Sequence, residues 1–111
     1  MENVTRGSLY MVTLSDGVEA PILIVSRDTL NRGSEYVLIA PVVERSRVTP
    51  TQLPSHVVVS GTGTKLDDEW VILCELIRPV NKEHLQRLLG QIPPKLQSKV
   101  DNSLQTVLAL D

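Results

Sequence analysis

The segment 44–51 contains the side chains best suited to bind a phosphate group. Arg45 and Arg47 directly follow an apolar run, and Glu44 is the only acidic residue in the segment. A guanidinium group can donate two parallel hydrogen bonds to one phosphate. The segment, with Thr49 as a further substrate-binding candidate, can therefore form a phosphate-binding loop. A solvated turn is the alternative, which we favour.

A second polar cluster surrounds Asp28. Arg27 precedes this carboxylate, and Asn31 and Arg32 follow it within a few residues. All three flanking residues are candidates for contact with a substrate. The alternative, which we favour, is a local ion pair between arginine and Asp28 in a surface turn.

The remaining reactive side chains favour structural roles. His56 and His84 are the only residues whose unperturbed side chains titrate near neutral pH; His56 is an acid–base candidate, and His84 is expected on the surface. Cys74 lies in an apolar segment, which predicts a buried, inert thiol. Because it is the only cysteine and no Cys/His pair has ligand spacing, we predict no disulfide, metal site or cofactor. Trp70 begins an apolar segment and is expected to pack in the core or at its rim rather than against bases.

The composition indicates one domain without a strong net charge. A chain of 111 residues, 41% of them hydrophobic, can bury one core without disulfides. A net charge of −2 argues against a protein that coats nucleic acid, and 3% aromatic residues argue against a broad base-stacking platform. No apolar run is long enough to span a membrane, and the first residues lack a signal-peptide pattern. We therefore expect a cytoplasmic protein with no membrane partner.

Apolar segments rich in β-branched residues predict five strands, at 9–14, 22–25, 37–43, 56–60 and 70–76. Turn-forming residues separate several of them, at 15–17, 31–34 and 61–63. Strands joined by short turns, without a helix between each pair, predict a mostly antiparallel sheet or a small barrel.

The last part of the chain predicts a helix that covers one face of this sheet. From Pro94 onward one apolar stripe recurs at helical spacing, formed by Leu96, Val100, Leu104, Val107 and Leu108. A shorter helix is expected before it, with Asn81 as its N-cap and Gly90 as its C-terminal stop. Its apolar face would consist of Leu85, Leu88 and Leu89.

Short motifs follow one another in a distinctive order, at 6–9, 21–28, 40–42, 53–57 and 71–82. In this order, over about residues 5 to 110, they resemble the MazF/PemK family of toxin endoribonucleases, which shares its fold with the CcdB gyrase poisons. The resemblance implies a mainly β protein with a C-terminal helix. It would be a small antiparallel β-barrel of the CcdB/MazF type with the helix packed on the sheet, in a single domain over residues 4–111.

The resemblance also implies an activity, namely metal-independent cleavage of single-stranded RNA by a homodimer that binds a cognate antitoxin. In that reaction the 2′-hydroxyl attacks the neighbouring phosphorus and the 5′-oxygen leaves. The site must therefore stabilise phosphoryl charge and move two protons. The family's Arg and Thr positions hold Ala20 and Val43 here, whose side chains can neither donate a hydrogen bond nor carry charge. No catalytic residue is assigned, and Arg45 or Arg47 is the expected substitute.

Three functions remain open from the sequence. The first is a toxin that binds single-stranded RNA and cuts it with a substitute arginine. The second is a catalytically inactive module of the same fold that binds an antitoxin, another protein or RNA. The third is a gyrase poison, which ranks last because the C-terminus lacks the Trp-Gly-Ile ending of CcdB.

Overall fold

A computed structural model describes residues 4–48, 53–60 and 69–110. The strands in this part of the chain are β1 (Ser8–Thr13), β2 (Glu19–Ile24), β3 (Tyr36–Glu44), β4 (His56–Ser60), β5 (Glu69–Leu73), β6 (Arg78–Asn81) and β7 (Leu85–Gln91). The helices are α1 (Asp28–Gly33) and α2 (Pro94–Leu108). The candidate Thr49 and the turn expected at 61–63 lie outside the described residues. Among the helices that are described, none is long and apolar enough to cross a membrane.

β3 is the central strand of a curled antiparallel sheet. One of its edges pairs with β2, and its other edge pairs first with β6, through Tyr36–Ile39, and then with β5, through Val42–Glu44. The strand order is β4-β5-β3-β2-β1-β7, with every described pairing antiparallel. Because β4 and β7 lie at opposite ends of this order, the described sheet curls without closing. The predicted antiparallel β fold with a C-terminal helix is confirmed, in an open, barrel-like form.

The curled sheet buries both of its faces. Along β2, Leu23 packs into a helix-side core that includes Val100 of α2, whereas Ile22 and Ile24 pack into a far-side core with Val37 and others. Alternate residues of one strand therefore point into two apolar cores. This arrangement explains why the sequence has a continuous apolar run here rather than an alternation of apolar and polar residues.

The predicted C-terminal helix is confirmed. α2 begins at Pro94, buries Val100 completely, and packs three further apolar side chains against the helix-side core, namely Leu96, Leu104 and Val107. Burial of a valine of this kind stabilises a fold by about 1.5–3 kcal/mol. The Ser103 hydroxyl also donates to the carbonyl of Pro54 at 2.8 Å, which attaches the helix to the start of β4.

The prediction of a short helix from Asn81 to Gly90 is wrong. Asn81 does cap a turn, because its side chain accepts a hydrogen bond from the Glu83 amide, but this is a single 3₁₀ turn followed by strand β7. Extra residues in β7 shift its register against β1, so Leu85 packs into the far-side core and Leu89 into the helix-side core. A helix would have placed both leucines on one face. Gly90 has a φ of +146° beside one of these bulges and does not end a helix.

Two other elements differ from the sequence prediction. The strand predicted at 70–76 ends at Leu73, and a 3₁₀ turn, Cys74–Leu76, leads into β6. The turn predicted at 31–34 is instead the end of α1, which has no side-chain N-cap. Its six residues are too few for the periodic apolar pattern by which a helix is detected.

Candidate functional site

A groove of about 380 Å³ lies where β2 and β3 run side by side. In the antiparallel register Ile22 pairs with Pro41, and Ala20 and Val43 each lie two residues beyond this pair on their own strand. Both residues line the groove. We call this cavity the β2–β3 groove. It lies at the two positions where the family resemblance placed its Arg and Thr.

The strand walls of the β2–β3 groove offer few hydrogen-bond donors. Ala20 and Val43 have none in their side chains, and Pro21 and Pro41, which also line the groove, lack a backbone N–H. These walls alone cannot stabilise negative charge on a phosphoryl group. Any such stabilisation must come from residues on other elements.

Two arginines supply positive charge to the groove. Arg47 reaches it from the 3₁₀ turn that follows β3, and Arg78 reaches it from the first position of β6. Both are exposed, and neither forms an ion pair with another described residue. They are accompanied by the carboxylates of Glu19 and Glu44.

The structure separates the six substrate-binding candidates. Arg47 lines the groove, whereas Arg45 does not; its guanidinium lies 2.6 Å from the Glu69 carboxylate and is exposed. Arg27 and Arg32 are exposed beside and within α1, and neither lines the groove. Thr49 lies outside the described residues.

The sixth candidate, Asn31, is buried within a polar network. Its side-chain amide donates to the Ser26 carbonyl at 2.8 Å and to Asp28 at 3.3 Å. Asp28 also accepts a hydrogen bond from the Arg6 backbone amide at 2.7 Å. Within the described residues Asp28 therefore forms no ion pair with a neighbouring arginine, contrary to the local pair that the sequence favoured. The network attaches α1 to the start of the chain.

Trp70 also lines the β2–β3 groove. It lies opposite Glu44 on β3, is partly buried, and packs against the helix-side core, which confirms the packing expected from the sequence. Its indole Nε1 is buried and has no hydrogen-bond partner within the part of the chain that the structure describes. Leaving a buried donor unpaired costs about 1–3 kcal/mol, so this donor requires an explanation.

The histidine candidates lie away from this groove. His56 Nε2 is 2.9 Å from the Glu75 carboxylate, and its side chain is 7% exposed. Burial opposes ionisation of Glu75 most strongly, but hydrogen bonds from its own backbone amide, His56 and Ser55 together hold its pKa below the usual value. The pair therefore fastens the turn after β5 to the start of β4. His84 is exposed before β7, as expected.

The predicted burial of Cys74 is confirmed, since its side chain has no solvent exposure. This burial raises the pKa of the thiol, and a hydrogen bond with Ser103 opposes the increase only in part. A neutral, inaccessible thiol is a poor nucleophile. Across the described ranges, His, Cys, Asp and Glu nowhere form a group of three or more that could hold a metal ion.

Sequence reasoning missed two residues of the groove, Arg78 and Trp70. Arg78 stands in the motif that leads out of the last predicted strand, but that strand breaks after Leu73, and only the break brings Arg78 to the edge of β3. The pairing of β3 with two successive strands is the signal that would have identified it. A single sequence does not reveal such pairing.

Comparison with known proteins gives consistent matches along the chain. A family model described as PemK-like, MazF-like toxin of type II toxin–antitoxin system matches residues 5–108. A curated relative, Endoribonuclease MazF of Staphylococcus saprophyticus, is 32% identical over 111 residues, which cover 95% of this chain and 91% of the relative.

Solved structures have the same fold. An endoribonuclease in complex with its cognate antitoxin, from a mycobacterial species, matches with a TM-score of 0.82 and 27% identity over 97% of each chain. A MazE–MazF structure from Deinococcus radiodurans matches over the full length of both chains with a TM-score of 0.80. At 18% identity, the second match shows the fold alone.

Proposed function

The chain belongs to the PemK-like, MazF-like family of toxin endoribonucleases, and we propose that it binds single-stranded RNA in the β2–β3 groove and cleaves it without a metal ion. The observation that supports this proposal is the entry of Arg47 and Arg78 into the groove that contains Ala20 and Val43. Two guanidinium groups can replace the positive charge that an arginine at position 20 would supply. They come from other elements of the same groove.

The groove offers groups for the attack of the 2′-hydroxyl, while water supplies the proton that the departing 5′-oxygen takes up. Arg47 and Arg78 would donate hydrogen bonds to the phosphoryl oxygens as negative charge develops on them. An arginine does not release its proton at neutral pH, so a carboxylate must accept the proton of the 2′-hydroxyl. Glu19 lies 3.5 Å from Arg87, whereas Glu44 forms no ion pair within the described residues, and we assign this role to Glu44.

Cleavage of single-stranded RNA by the purified protein in EDTA tests the proposal. We expect the wild type to cut, and Arg47→Ala and Arg78→Ala each to lower the rate by about 100-fold, the usual cost of one preorganised donor. Arg45→Ala is the matched control, because Arg45 is exposed, paired with Glu69 and outside the groove. A double Arg47→Ala, Arg78→Ala variant that cuts at the wild-type rate would contradict the substitute-arginine mechanism.

A second candidate function is RNA binding without cleavage. The specific observation in its favour is that Ala20 and Val43 leave both strand walls without a side-chain donor. The same experiment separates the two functions. Binding by the wild type with no turnover above a buffer control would favour the second and exclude the first.

We propose the same partners for this chain that the family resemblance implied, namely a second copy and a cognate antitoxin, in the cytoplasm. Support comes from the mycobacterial endoribonuclease, which was solved in complex with its cognate antitoxin. Light scattering tests the homodimer, for which we expect twice the chain mass of 12.3 kDa. Co-purification with the product of an adjacent gene tests the antitoxin.

A further inference from the structure

The apolar part of the β2–β3 groove is unsuited to a phosphate group. Aliphatic side chains line it from the β1–β2 connection, from β3, from β5 and from the 3₁₀ turn after β5, namely Leu14, Val18, Val43, Leu73 and Leu76. These side chains give a charged group nothing to replace its lost hydration. Arg47 and Arg78, which also line the groove, are the groups that suit phosphates.

A nucleobase fits this environment because it combines flat apolar faces with hydrogen-bond acceptors at its edges. Trp70 offers the complementary groups, a flat indole ring and an N–H that acts only as a donor. Trp70 lines the groove, and its Nε1 is buried and has no hydrogen-bond partner among the described residues. Buried tryptophan N–H groups usually have one.

We infer that Trp70 is a base-binding residue of the β2–β3 groove, with its indole packed against one nucleobase of single-stranded RNA and its Nε1–H donating to an oxygen or ring nitrogen of that base. This inference rests on the proposed function, since it requires RNA to enter the groove. It also assigns different parts of the RNA to different residues of the groove. The arginines hold the backbone without regard to sequence, and Trp70 contacts one base.

Binding of a fluorescently labelled, 2′-O-methylated RNA, which cannot be cleaved through its 2′-hydroxyl, tests the inference. Trp70→Phe keeps an aromatic ring and removes the donor, and we expect it to weaken binding by about 3- to 10-fold. Trp70→Leu also removes the ring, and we expect a loss of about 10- to 100-fold. Tyr36→Phe, which alters an exposed aromatic residue outside the groove, is the control and should bind like the wild type.

Abasic substitutions along the RNA locate the contact. At one position, loss of the base should weaken binding to the wild type and have little further effect on Trp70→Leu. Because Trp70 is the only tryptophan in the chain, its emission should also change during the RNA titration, with the same midpoint as the binding curve. Thermal unfolding checks that each variant is folded, and Trp70→Phe decides the outcome if Trp70→Leu is not.

The outcomes distinguish this inference from the function on which it rests. Wild-type affinity in both Trp70 variants, together with weakened binding in Arg47→Ala, would overturn the role of Trp70 and leave the RNA-binding groove in place. An unchanged Trp70 emission at saturating RNA would also count against that role. Failure of the wild type to bind any RNA would overturn both.

Discussion

Ala20 and Val43 line the same groove from β2 and β3, at the positions where the family resemblance implies a charged donor and a hydroxyl. Arg47 and Arg78 enter from its margins on exposed side chains. Because an exposed arginine is less well ordered than one fixed within a strand, we expect a slow enzyme.

Restoring the two family residues should therefore increase activity. We expect the double variant Ala20→Arg, Val43→Thr to cut RNA about 100-fold faster than the wild type, since it adds a charged donor and a hydroxyl to a preorganised wall. Initial rates in EDTA measure the change. Ala20→Gln with Val43→Thr controls for side-chain size, and a double variant no faster than this control would show that the groove lacks more than these two groups.

Glu75 makes the stability of the fold depend on pH in the acid range. The pKa of its carboxyl is held below the ordinary value near 4.5, despite burial, by hydrogen bonds that include one with His56. Its stabilising contribution is therefore fully present above the unfolded-state pKa and is lost as pH falls through the lower, folded-state value. We expect Glu75→Gln to flatten the dependence of unfolding free energy on pH below about 4.5.

Urea unfolding at several pH values measures this slope. Glu83→Gln is the control, because Glu83 is an exposed carboxylate in the turn before β7. Its slope should match that of the wild type. A Glu75→Gln slope that also matches the wild type would rule out this source of acid sensitivity.

How far the site could be predicted from the sequence depends on whether each residue acts near its own place in the chain. Arg47 could be selected because it directly follows an apolar strand. Asn31 is a candidate because it lies near Asp28 in the sequence, yet the fold buries it in a network with Ser26. Trp70 and Arg78 reach the groove only through pairing with β3, which local sequence does not specify.

At the scale of single elements, α2 and β7 show where sequence periodicity succeeds and where it fails. The apolar stripe of α2 has the period of a regular helix, so the prediction is correct. Leu85 and Leu89 of β7 are four residues apart, which is the spacing of one helix face. The bulges in the strand instead place them on opposite faces of the sheet. A bulge changes the alternation by which a strand is recognised, and nothing in the leucine spacing distinguishes it from a helix.

The bulge makes Gly90 important for stability. Its φ of +146° lies in a region that residues with a side chain rarely adopt, and we expect Gly90→Ala to destabilise the fold by about 1–3 kcal/mol. Gly33→Ala is the matched control, because Gly33 lies in α1 and an added methyl group there meets nothing within 4 Å. Urea unfolding of the two variants measures both effects, and equal stabilities would show that the bulge tolerates a side chain.

The whole molecule could be predicted in outline, as an antiparallel sheet with one covering helix, because apolar segments, turns and the stripe of α2 are each visible locally. The curvature of the sheet could not be predicted in this way. β3 divides one edge between two strands, and this division brings residues of β5 and β6 to the same groove. Which strands share an edge is decided by the packing of two cores together rather than by any one segment.

The divided edge of β3 also determines when a growing chain can complete the groove. β3 ends at Glu44, but its partners on that edge end at Leu73 and Asn81. At a synthesis rate of about 5 to 20 residues per second, the edge stays unpaired for seconds while the intervening residues are made. An unpaired edge can associate with another chain. A nascent protein of this kind therefore acquires the complete groove late, after most of its length has been translated.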